Sequence, residues 1–407
     1  MVTATRLHDE IDEILPGLIA DRRYLHENPE LGFQEFNTAK FVAERLQALG
    51  VEDIRTGING TGITGLVRGK SAGENRVVLV RADMDALPIH EENDVEYKSR
   101  NDGVMHACGH DAHTAILLGL ARTLMARRDE FAGTVKLLFQ PSEEHFPGGA
   151  KGMIEEGVME DPHVDASFAL HMAQHQPLGV ITIAGGPILA APDSFRVTIQ
   201  GKGGHAARPQ NAIDPIVIGA QIVNALQTVV SRNVDPVESC VVTVGYFNAG
   251  EAFNVIPDVA TIGGTVRTLT PEIRDLAEER VTAVIQGIAE AGRATVEIEY
   301  TRGYPATIND QAAAALVREA VIEVVGADNV VTPPPSMGGE DYAYFLLDRP
   351  GAMFQVGSKN EDRGLVWGHH HPRFDIDEES LAVGLETMTV TVLRYLERGL
   401  PATDGGN

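Results

Sequence analysis

The sequence predicts an α/β protein, with a doubly wound, mostly parallel sheet and an inserted ferredoxin-like α+β domain. Short Val/Leu-rich runs alternate with segments of helical periodicity in the first part of the chain, as in parallel sheets whose faces are both covered by helices. From about residue 190 the order of elements becomes β-α-β-β-α-β, which is the ferredoxin-like order. At 407 residues the chain is long enough for two domains.

The elements of the first domain follow from apolar periodicity. Two helices are predicted between about residues 5 and 50, the second from Asn37 to Leu49, where Gly50 ends it. Strands and helices then alternate. The predicted strands cover 76–83, 133–140 and 164–171, and the predicted helices cover 113–128 and 149–159.

The inserted domain begins where this alternation stops. Its predicted strands cover 194–201, 238–247, 258–268 and 295–304, and its helices cover 212–232 and 271–292. The first domain resumes with a helix at 310–326, a strand at 352–358 and a helix at 378–398. We therefore assign 1–190 and 305–407 to one α/β domain and 191–304 to the insertion.

Composition and charge argue against several classes of function. The chain has 33 basic and 58 acidic residues, a net charge of −25, whereas binding to nucleic acid or to an anionic membrane needs a basic face. No apolar run approaches the ~20 residues that span a bilayer, and the first residues do not resemble a secretory signal. Two cysteines form no disulfide framework. We expect a cytoplasmic protein with no nucleic-acid or membrane partner.

Potential metal ligands follow three of the predicted strands. Asp83 and Asp85 end the first, Glu143 and Glu144 follow the second, and His171 ends the third. Sites in open α/β sheets form at the carboxyl ends of strands. One carboxylate at a strand end is usually a cap or turn residue, but three such ends favour a metal site. Two adjacent glutamates suit a hydrolytic centre, in which one binds the ion and the other is a general base toward metal-bound water.

The stretch GVMHACGHDAHTA at 103–115 places one cysteine among histidines before a predicted helix. Cys108 is a metal ligand, a nucleophile or a small structural residue. His106 and His110 could activate a nucleophile, but nearby carboxylates would raise the pKa of the thiol, and the loop is too polar for a structural cysteine. Thiolate and imidazole together suit zinc and similar ions, so we favour the ligand. Cys240 is expected to be an ordinary strand residue.

Two further clusters complete the candidate residues. Of three consecutive histidines before Pro372, at 369–371, one is expected in the site, because an extended backbone cannot direct all three to one place. The inserted domain carries four polar residues, each of which, taken alone, is typical of surface hydrogen bonding. Together they could hold a substrate carboxylate and a developing oxyanion. They are His205, Arg208, Asn254 and Arg267.

With these residues assembled, the sequence resembles the amidohydrolase branch of the aminoacylase and carboxypeptidase-G-like metallopeptidases. That branch includes hippurate hydrolase, N-acyl-amino-acid amidohydrolases and plant auxin-conjugate hydrolases. The resemblance extends nearly end to end, through several motifs in the same order. They are LHENPELGFQE (25–35), RADMDALP (81–88), MHACGHDAHTA (105–115), FQPSEE (139–144), GKGGHAARPQNAIDP (201–215), FNVIPD (253–258), GGEDYAYF (338–345) and HHPRFDID (370–377).

The resemblance implies a catalytic domain with two divalent metal ions and a ferredoxin-like lid domain that mediates dimerisation, in a homodimer or tetramer. Zinc, manganese, cobalt and nickel are the candidate ions, since a thiolate favours softer ions over magnesium. The wider family has a histidine where this chain has Asp83, so the ligand set of the second ion is the less defined one. The ligands implied by motif are Cys108, His110, Glu144, His171 and His370, the last because it lies two residues before the proline.

The resemblance also implies roles for residues that do not bind the ions. Glu143 would be the general base, which takes a proton from metal-bound water and passes it to the leaving amine. His205 would stabilise the oxyanion, reaching the site of the partner subunit. Asn254 and Arg267 would hold the carboxylate or carbonyl of the substrate, and Asp85 would orient a ligand. The implied reaction is hydrolysis of the amide of an N-acyl amino acid.

Three other functions stay open at this point. A dipeptidase or carboxypeptidase of the same family would cleave a peptide bond instead of an acyl amide. A cysteine-nucleophile amidase would leave Glu144, His171 and His370 without a role. A non-catalytic metal-binding or ligand-binding protein would have no need of Glu143 as a free base beside Glu144.

Overall fold

The structure, a computed structural model, describes residues 4–402, with side chains from Leu7 onward. Helices and strands alternate along this part of the chain. The helices are α1 (Ala4–Glu27), α2 (Phe36–Leu49), α3 (His110–Ala126), α4 (Ala150–Glu155), α5 (Pro215–Asn233), α6 (Pro271–Ala291), α7 (Gln311–Val325), α8 (Ala343–Asp348) and α9 (Ser380–Arg398). The strands are β1 (Glu52–Ile58), β2 (Gly62–Arg68), β3 (Val77–Asp83), β4 (Thr134–Gln140), β5 (Ala166–Pro177), β6 (Ile181–Thr182), β7 (Gly186–Leu189), β8 (Ala191–Gln200), β9 (Gly204–His205), β10 (Cys240–Ala249), β11 (Val255–Ile256), β12 (Val259–Thr268), β13 (Thr295–Thr301), β14 (Thr307–Asn309), β15 (Val330–Val331) and β16 (Gly351–Lys359).

Local sequence explains where several helices begin and end. α2 ends at Gly50, whose φ of 77° lets its N–H return to carbonyls of the last turn. Asp214, Thr270 and Asp310 precede α5, α6 and α7, and their side chains accept N–H groups of the first turn. Among the described helices, none combines the length and apolarity that membrane spanning requires.

The large sheet has the strand order β1-β2-β4-β3-β5-β16-β6-β15. Its centre, β4, β3, β5 and β16, is parallel, whereas β1, β2 and β4 pair antiparallel and β6 runs antiparallel to β16. Every residue of β3 and β4 is buried, so both faces of the sheet are covered at its centre. This arrangement confirms the predicted α/β class with a mostly parallel sheet.

The register of the central strands places their carboxyl ends side by side. Asp83, the last residue of β3, pairs with Gln140, the last residue of β4. Arg81 pairs with Ala169 on β5, so His171 lies at the level where β3 ends. The segments that leave the sheet here carry the predicted ligands, as the topology of parallel sheets predicts.

The smaller sheet has the order β10-β12-β8-β13, and its neighbouring strands are antiparallel. With α5 and α6 between the strands, it confirms the predicted ferredoxin-like element order. The core between this sheet and its two helices is apolar. Side chains of β8 and of the two helices fill it, among them Phe195, Val197, Ile199, Ile222, Leu226, Val281 and Ile285.

Backbone contacts divide the chain into two compact units. The first comprises the described residues through Gly186, Ile308–Pro334 and the described residues from Tyr344, and the second comprises Pro187–Thr307 and Pro335–Ala343. The sequence-based division leaves 335–343 with the α/β domain. In the structure this segment groups with the second unit, because the N–H of Ala190 donates to the Gly338 carbonyl and that of Ser336 to the Ile188 carbonyl.

Candidate metal centre

Ligand-type side chains from several segments of the first unit converge on one place. In each of three overlapping groups, the potential ligand atoms all lie within 4.8 Å of one another. Because the groups share members, they form one continuous cluster at the carboxyl ends of the central strands. The groups are Cys108–His110–His171, Cys108–Glu144–His370 and His110–Glu143–Glu144.

The start of α3 brings the cysteine and the first histidine into this cluster. Gly109 precedes the helix with a φ of 95°, and a Cβ there would lie 3.1 Å from the side chain of Met172. Only glycine suits that backbone and that space. The helix therefore begins at His110 rather than at the predicted residue 113. His106 is buried and belongs to none of the ligand groups.

His110 presents a free nitrogen to the cluster. Its Nδ1 donates to the carbonyl of Asp85 at 2.9 Å, and its buried Nε2 has no hydrogen-bond partner in the described part of the chain. Oxygens of Asp83 and Glu144 lie 3.7 and 4.0 Å from Nε2. Burial opposes a charged ring, but Asp83, Asp85 and Glu144 outweigh it and raise the pKa of His110 to about 10. The space beside Nε2 therefore favours positive charge.

His171 and Cys108 face each other across the cluster. The Nδ1 of His171 donates to the carbonyl of Met172 at 2.7 Å, so Nε2 is the nitrogen that lies 3.6 Å from Cys108 Sγ. A backbone acceptor on the far nitrogen is a common way to orient a metal-binding imidazole.

The surroundings of Cys108 favour a ligand over a nucleophile. Burial, together with Glu144 and Glu143, raises the pKa of its thiol well above the usual value. A neutral thiol is a poor nucleophile, whereas a bound cation offsets the carboxylates and stabilises the thiolate. The cysteine-nucleophile interpretation is therefore disfavoured.

The two adjacent glutamates lie in the turn after β4. The N–H of Glu144 donates to Asp85 at 3.0 Å, and its Oε1 lies 3.1 Å from Nε2 of His370. Glu143 is 7% exposed and lies in one ligand group with His110 and Glu144. The turn therefore presents both carboxylates to the cluster.

The three consecutive histidines point to different places. His370, with a φ of 63°, reaches Glu144, and its hydrogen bond to that carboxylate raises the pKa of His370. His369 is nearly buried, its Nε2 accepts a backbone N–H, and burial lowers its pKa to about 2. His371 stacks on Trp367, with 4.3 Å between ring centroids. His370 is the one that joins the ligand groups.

A buried chain of hydrogen bonds lies behind the cluster. Arg81 and His113 donate to the two oxygens of Asp83, each at 2.6 Å, and the N–H of Met172 donates to the other nitrogen of His113 at 2.8 Å. Burial opposes ionisation of Asp83, but Arg81, His110 and His113 keep its pKa well below the usual value. Both nitrogens of His113 are occupied. The Arg-x-Asp alternation on β3 was the available signal, since residues two apart share a face.

The candidate residues of the second unit lie on two sheets. His205 ends β9 and pairs with Val255 on β11, and Asn254 directly precedes β11, where its carbonyl accepts the N–H of Ala206. Nδ1 of His205 accepts the N–H of Ala207 at 3.1 Å, so a neutral ring carries its proton on Nε2. Arg267 lies apart from this ribbon, on β12. Burial lowers its pKa, and it donates to Thr265 and to the carbonyl of Met337.

The donor set fits a divalent transition ion. It combines a thiol, imidazole nitrogens and carboxylates, which suit zinc and its neighbours and do not suit magnesium or calcium. The buried, unpartnered Nε2 of His110 is the kind of atom that a ligand must satisfy. The residues present therefore fit a metal centre.

Comparison with known proteins gives consistent matches. Residues 79–394 match Peptidase family M20/M25/M40. The chain is 42% identical over 364 residues to N-acetyl-L-cysteine deacetylase of Bacillus subtilis, covering 89% of this chain and 84% of that protein. It is 39% identical over 394 residues to thermostable carboxypeptidase 2 of Saccharolobus solfataricus, covering 96% and 98%. The structure of Bacillus subtilis YXEP, described as a dinuclear metal binding peptidase, matches with a TM-score of 0.83 and 35% identity, covering 95% of this chain and 99% of that one.

Proposed function

The chain belongs to Peptidase family M20/M25/M40, a family of hydrolases that act on amides, and we propose that it hydrolyses the amide bond of N-acyl amino acids. The products would be a carboxylic acid and a free amino acid. The observation that carries the proposal is the adjacent pair of Glu143, which is buried, and Glu144, which is partly buried, beside His110. One carboxylate can bind an ion while its neighbour serves as a base.

We propose that the cluster holds two divalent ions, with zinc, manganese, cobalt and nickel as candidates. Bound ions would polarise the amide carbonyl and lower the pKa of water. The similarity to a dinuclear peptidase supports the number of ions, and the overlapping donor groups support the place. The proposed ligands are Cys108, His110, Glu144, His171 and His370.

Glu143 is the proposed general base. Its carboxylate takes a proton from the attacking water as the water oxygen bonds to the amide carbon. When the carbon–nitrogen bond breaks, Glu143 returns the proton to the leaving nitrogen. Its low exposure supports this role, because a base screened from bulk water keeps the proton for the leaving group.

Asp85 is proposed to orient two of the ligands. Its oxygens lie 3.2 Å from Nδ1 of His110 and 3.0 Å from the nitrogen of Glu144. A carboxylate shared in this way fixes the tautomer of the imidazole and the position of the backbone.

The residues of the second unit are proposed to bind the substrate. His205 is exposed and carries a free Nε2–H in its neutral form, as a donor to an oxyanion in the partner subunit's site would need. Asn254 and Arg267 would hold the carboxylate or carbonyl of the substrate. The Nη2 of Arg267 donates to no described residue, which leaves it available to an anion.

A homodimer or tetramer formed through the second unit is part of the proposal. β10 is an edge strand of the smaller sheet, and Val241 and Tyr246 on it are exposed. A long edge strand with exposed apolar residues is a surface that proteins usually cover. Light scattering during size-exclusion chromatography measures the assembly directly, and a monomer at micromolar concentration would contradict it.

A dipeptidase or carboxypeptidase is the second candidate. The similarity to a carboxypeptidase over 96% of the chain favours it. The two functions share the same chemistry and differ in the group on the acyl side of the scissile bond.

A substrate panel on protein of measured metal content tests the proposal. Hippurate and N-acetyl amino acids should be cleaved with a higher kcat/KM than dipeptides. Preference for dipeptides would establish the second candidate instead.

The role of Glu143 is tested by Glu143→Gln. We expect kcat to fall by about 10²–10⁴-fold, with metal content nearly unchanged, because the amide keeps the shape and loses the basicity. Glu155→Gln on the exposed side of α4 is the matched control. Retained activity in Glu143→Gln would overturn the proposed mechanism.

A further inference from the structure

Glu35 precedes α2 but does not cap it. No hydrogen bond joins its side chain to the first turn of the helix. That role belongs to Glu30, whose carboxylate accepts the N–H groups of Asn37 and Thr38 at 2.9 Å each. A second carboxylate at the same helix start is therefore available for another purpose.

The side chain of Glu35 reaches the turn that carries the two glutamates. It is fully buried, and its Oε1 accepts the N–H of Ser142 at 2.9 Å while its Oε2 accepts the hydroxyl of Thr61 at 2.6 Å. Burial raises the pKa of Glu35 to about 7. Burying a carboxyl group without hydrogen bonds costs free energy, and the bonds from Ser142 and Thr61 offset that cost for Glu35.

Ser142 needs such an anchor because its backbone is in a conformation that L-residues avoid. Its φ is 51°, in the left-handed region that favours glycine. The chain also passes close to Gly32, where a Cβ would lie 2.6 Å from the hydroxyl of Ser142 and 3.2 Å from its Cα. The segment around the candidate base is thus strained and closely packed.

The two ends of this turn are held by different carboxylates. Asp85 accepts the N–H of Glu144, and Glu35 accepts the N–H of Ser142. Glu143 lies between these two anchors. We propose that Glu35 is a positioning residue, which fixes the Ser142 turn and thereby the direction of the Glu143 carboxylate.

This inference rests on the proposed function, because it takes Glu143 as the base. The hydrogen bonds described for the Glu35 side chain go to Ser142 and Thr61, neither of which is a proposed ligand. Glu35 acts through the backbone of Ser142, so its loss should lower kcat more than it raises KM. Misplacing a catalytic group by about 1 Å can cost about 100-fold in rate.

Three substitutions separate this role from general packing. Glu35→Leu removes both acceptors and leaves an apolar side chain of roughly similar size. Glu35→Gln keeps an acceptor for Ser142, and its amide can donate to Thr61, whose hydroxyl also accepts. Thr61→Val removes the Thr61 hydroxyl, which is the second hydrogen-bond partner of Glu35, and leaves the bond from Ser142 in place. It is the matched control, because it loses a buried hydrogen bond of Glu35 without releasing the turn.

The experiment measures steady-state kinetics per metal-loaded subunit and amide hydrogen exchange of the peptide covering 139–146. For Glu35→Leu we expect faster exchange in that peptide and a kcat lowered at least about tenfold with KM changed less than about threefold. Glu35→Gln and Thr61→Val should stay close to the unsubstituted protein in both measurements. If the leucine variant does not fold, Glu35→Asp repeats the test, since a carboxylate shorter by one methylene cannot reach both partners.

Unchanged kcat in Glu35→Leu would overturn the positioning role, whether or not exchange is faster. Equal losses of kcat in all three variants would overturn it as well, because lost packing would then explain them. Undiminished activity in Glu143→Gln would overturn the proposed role of Glu143 as the base, a result distinct from both. The exchange measurement reports the anchoring of the turn independently of catalysis.

Discussion

The carboxylate of Asp85 accepts the backbone N–H of Glu144, with 3.0 Å between Oδ2 and the nitrogen. Its other oxygen lies 3.2 Å from Nδ1 of His110. One buried side chain therefore contacts two of the proposed ligands, which come from different segments of the chain. The candidate centre depends on such links, since neither segment holds its ligand in place alone.

Asp85→Asn should weaken metal binding. The amide can replace only one of the two acceptor oxygens, so either the ring N–H of His110 or the N–H of Glu144 faces another donor. Loss of such a partner typically costs about 10–100-fold in metal affinity. Competition with a chromophoric chelator measures it. Asp102→Asn, at an exposed aspartate, is the control, and an unchanged affinity in Asp85→Asn would contradict the orienting role.

Cys108→Ser should reduce metal affinity and activity together, whereas Cys240→Ser should change neither. Cys108 lies within 4.8 Å of the other donors, while Cys240 begins a strand of the second unit. Chelation should abolish activity, and added zinc, manganese, cobalt or nickel should restore it.

Alkylation of the thiol distinguishes a metal ligand from a nucleophile at Cys108. Alkylation of the metal-loaded protein at neutral pH should be slow, because Cys108 is buried and its sulfur would be occupied. Rapid inactivation by alkylation, in protein that chelators leave active, would contradict the ligand role.

The sequence predicts the parts of the fold that depend on local apolar patterns. Buried strands such as β3 and β4 are rich in consecutive Val, Leu and Phe residues, and the helices carry apolar residues at helical spacing. The hairpin of β1 and β2 was not predicted. Most of β1 is partly or fully exposed, and β2 carries two glycines, so neither has a clear apolar alternation.

The candidate site, like the fold, could be predicted only where a pattern in the sequence indicates it. Ligand-type residues at strand ends could be found because parallel strands end together. The links from Asp83 to His113 and from Glu35 to Ser142 could not, because they join residues 30 and 107 positions apart. The helix α3 begins at His110, whereas the prediction placed its start at residue 113. Apolar periodicity does not report the backbone angle φ of Gly109, after which the helix begins.

Lys136 provides a test of stability away from the candidate centre. It is buried on β4, and its Nζ donates to the carbonyls of Val158, Glu160 and Pro162 at 2.8, 2.8 and 2.9 Å. Lys136→Met should lower the free energy of unfolding by about 3 kcal/mol, because three carbonyls lose a charged donor. Urea denaturation measures the change. Lys151→Met on the surface of α4 should have little effect, and equal losses in both variants would contradict the role of Lys136.

The stability of the protein should also depend on pH through His26, which is completely buried. Burial and the neighbouring Arg22 oppose its charge, but hydrogen bonds to Asp111 and Glu91 outweigh them and raise the pKa of His26 to about 9. Because the folded pKa lies above the unfolded value of 6.5, the stabilisation is fully present below pH 6.5 and is lost as the pH rises through about 9. The loss should be on the order of 3 kcal/mol.

Urea denaturation across this pH range measures the effect of the His26 charge. His26→Gln should be less stable than the unsubstituted protein at pH 6.5, and the difference should shrink toward pH 9, since glutamine has no proton to lose. His163→Gln, at an exposed histidine, is the control and should keep the pH dependence of the unsubstituted protein. Parallel stability curves for the unsubstituted protein and His26→Gln would show that the buried ring keeps the same charge throughout, and would contradict the prediction.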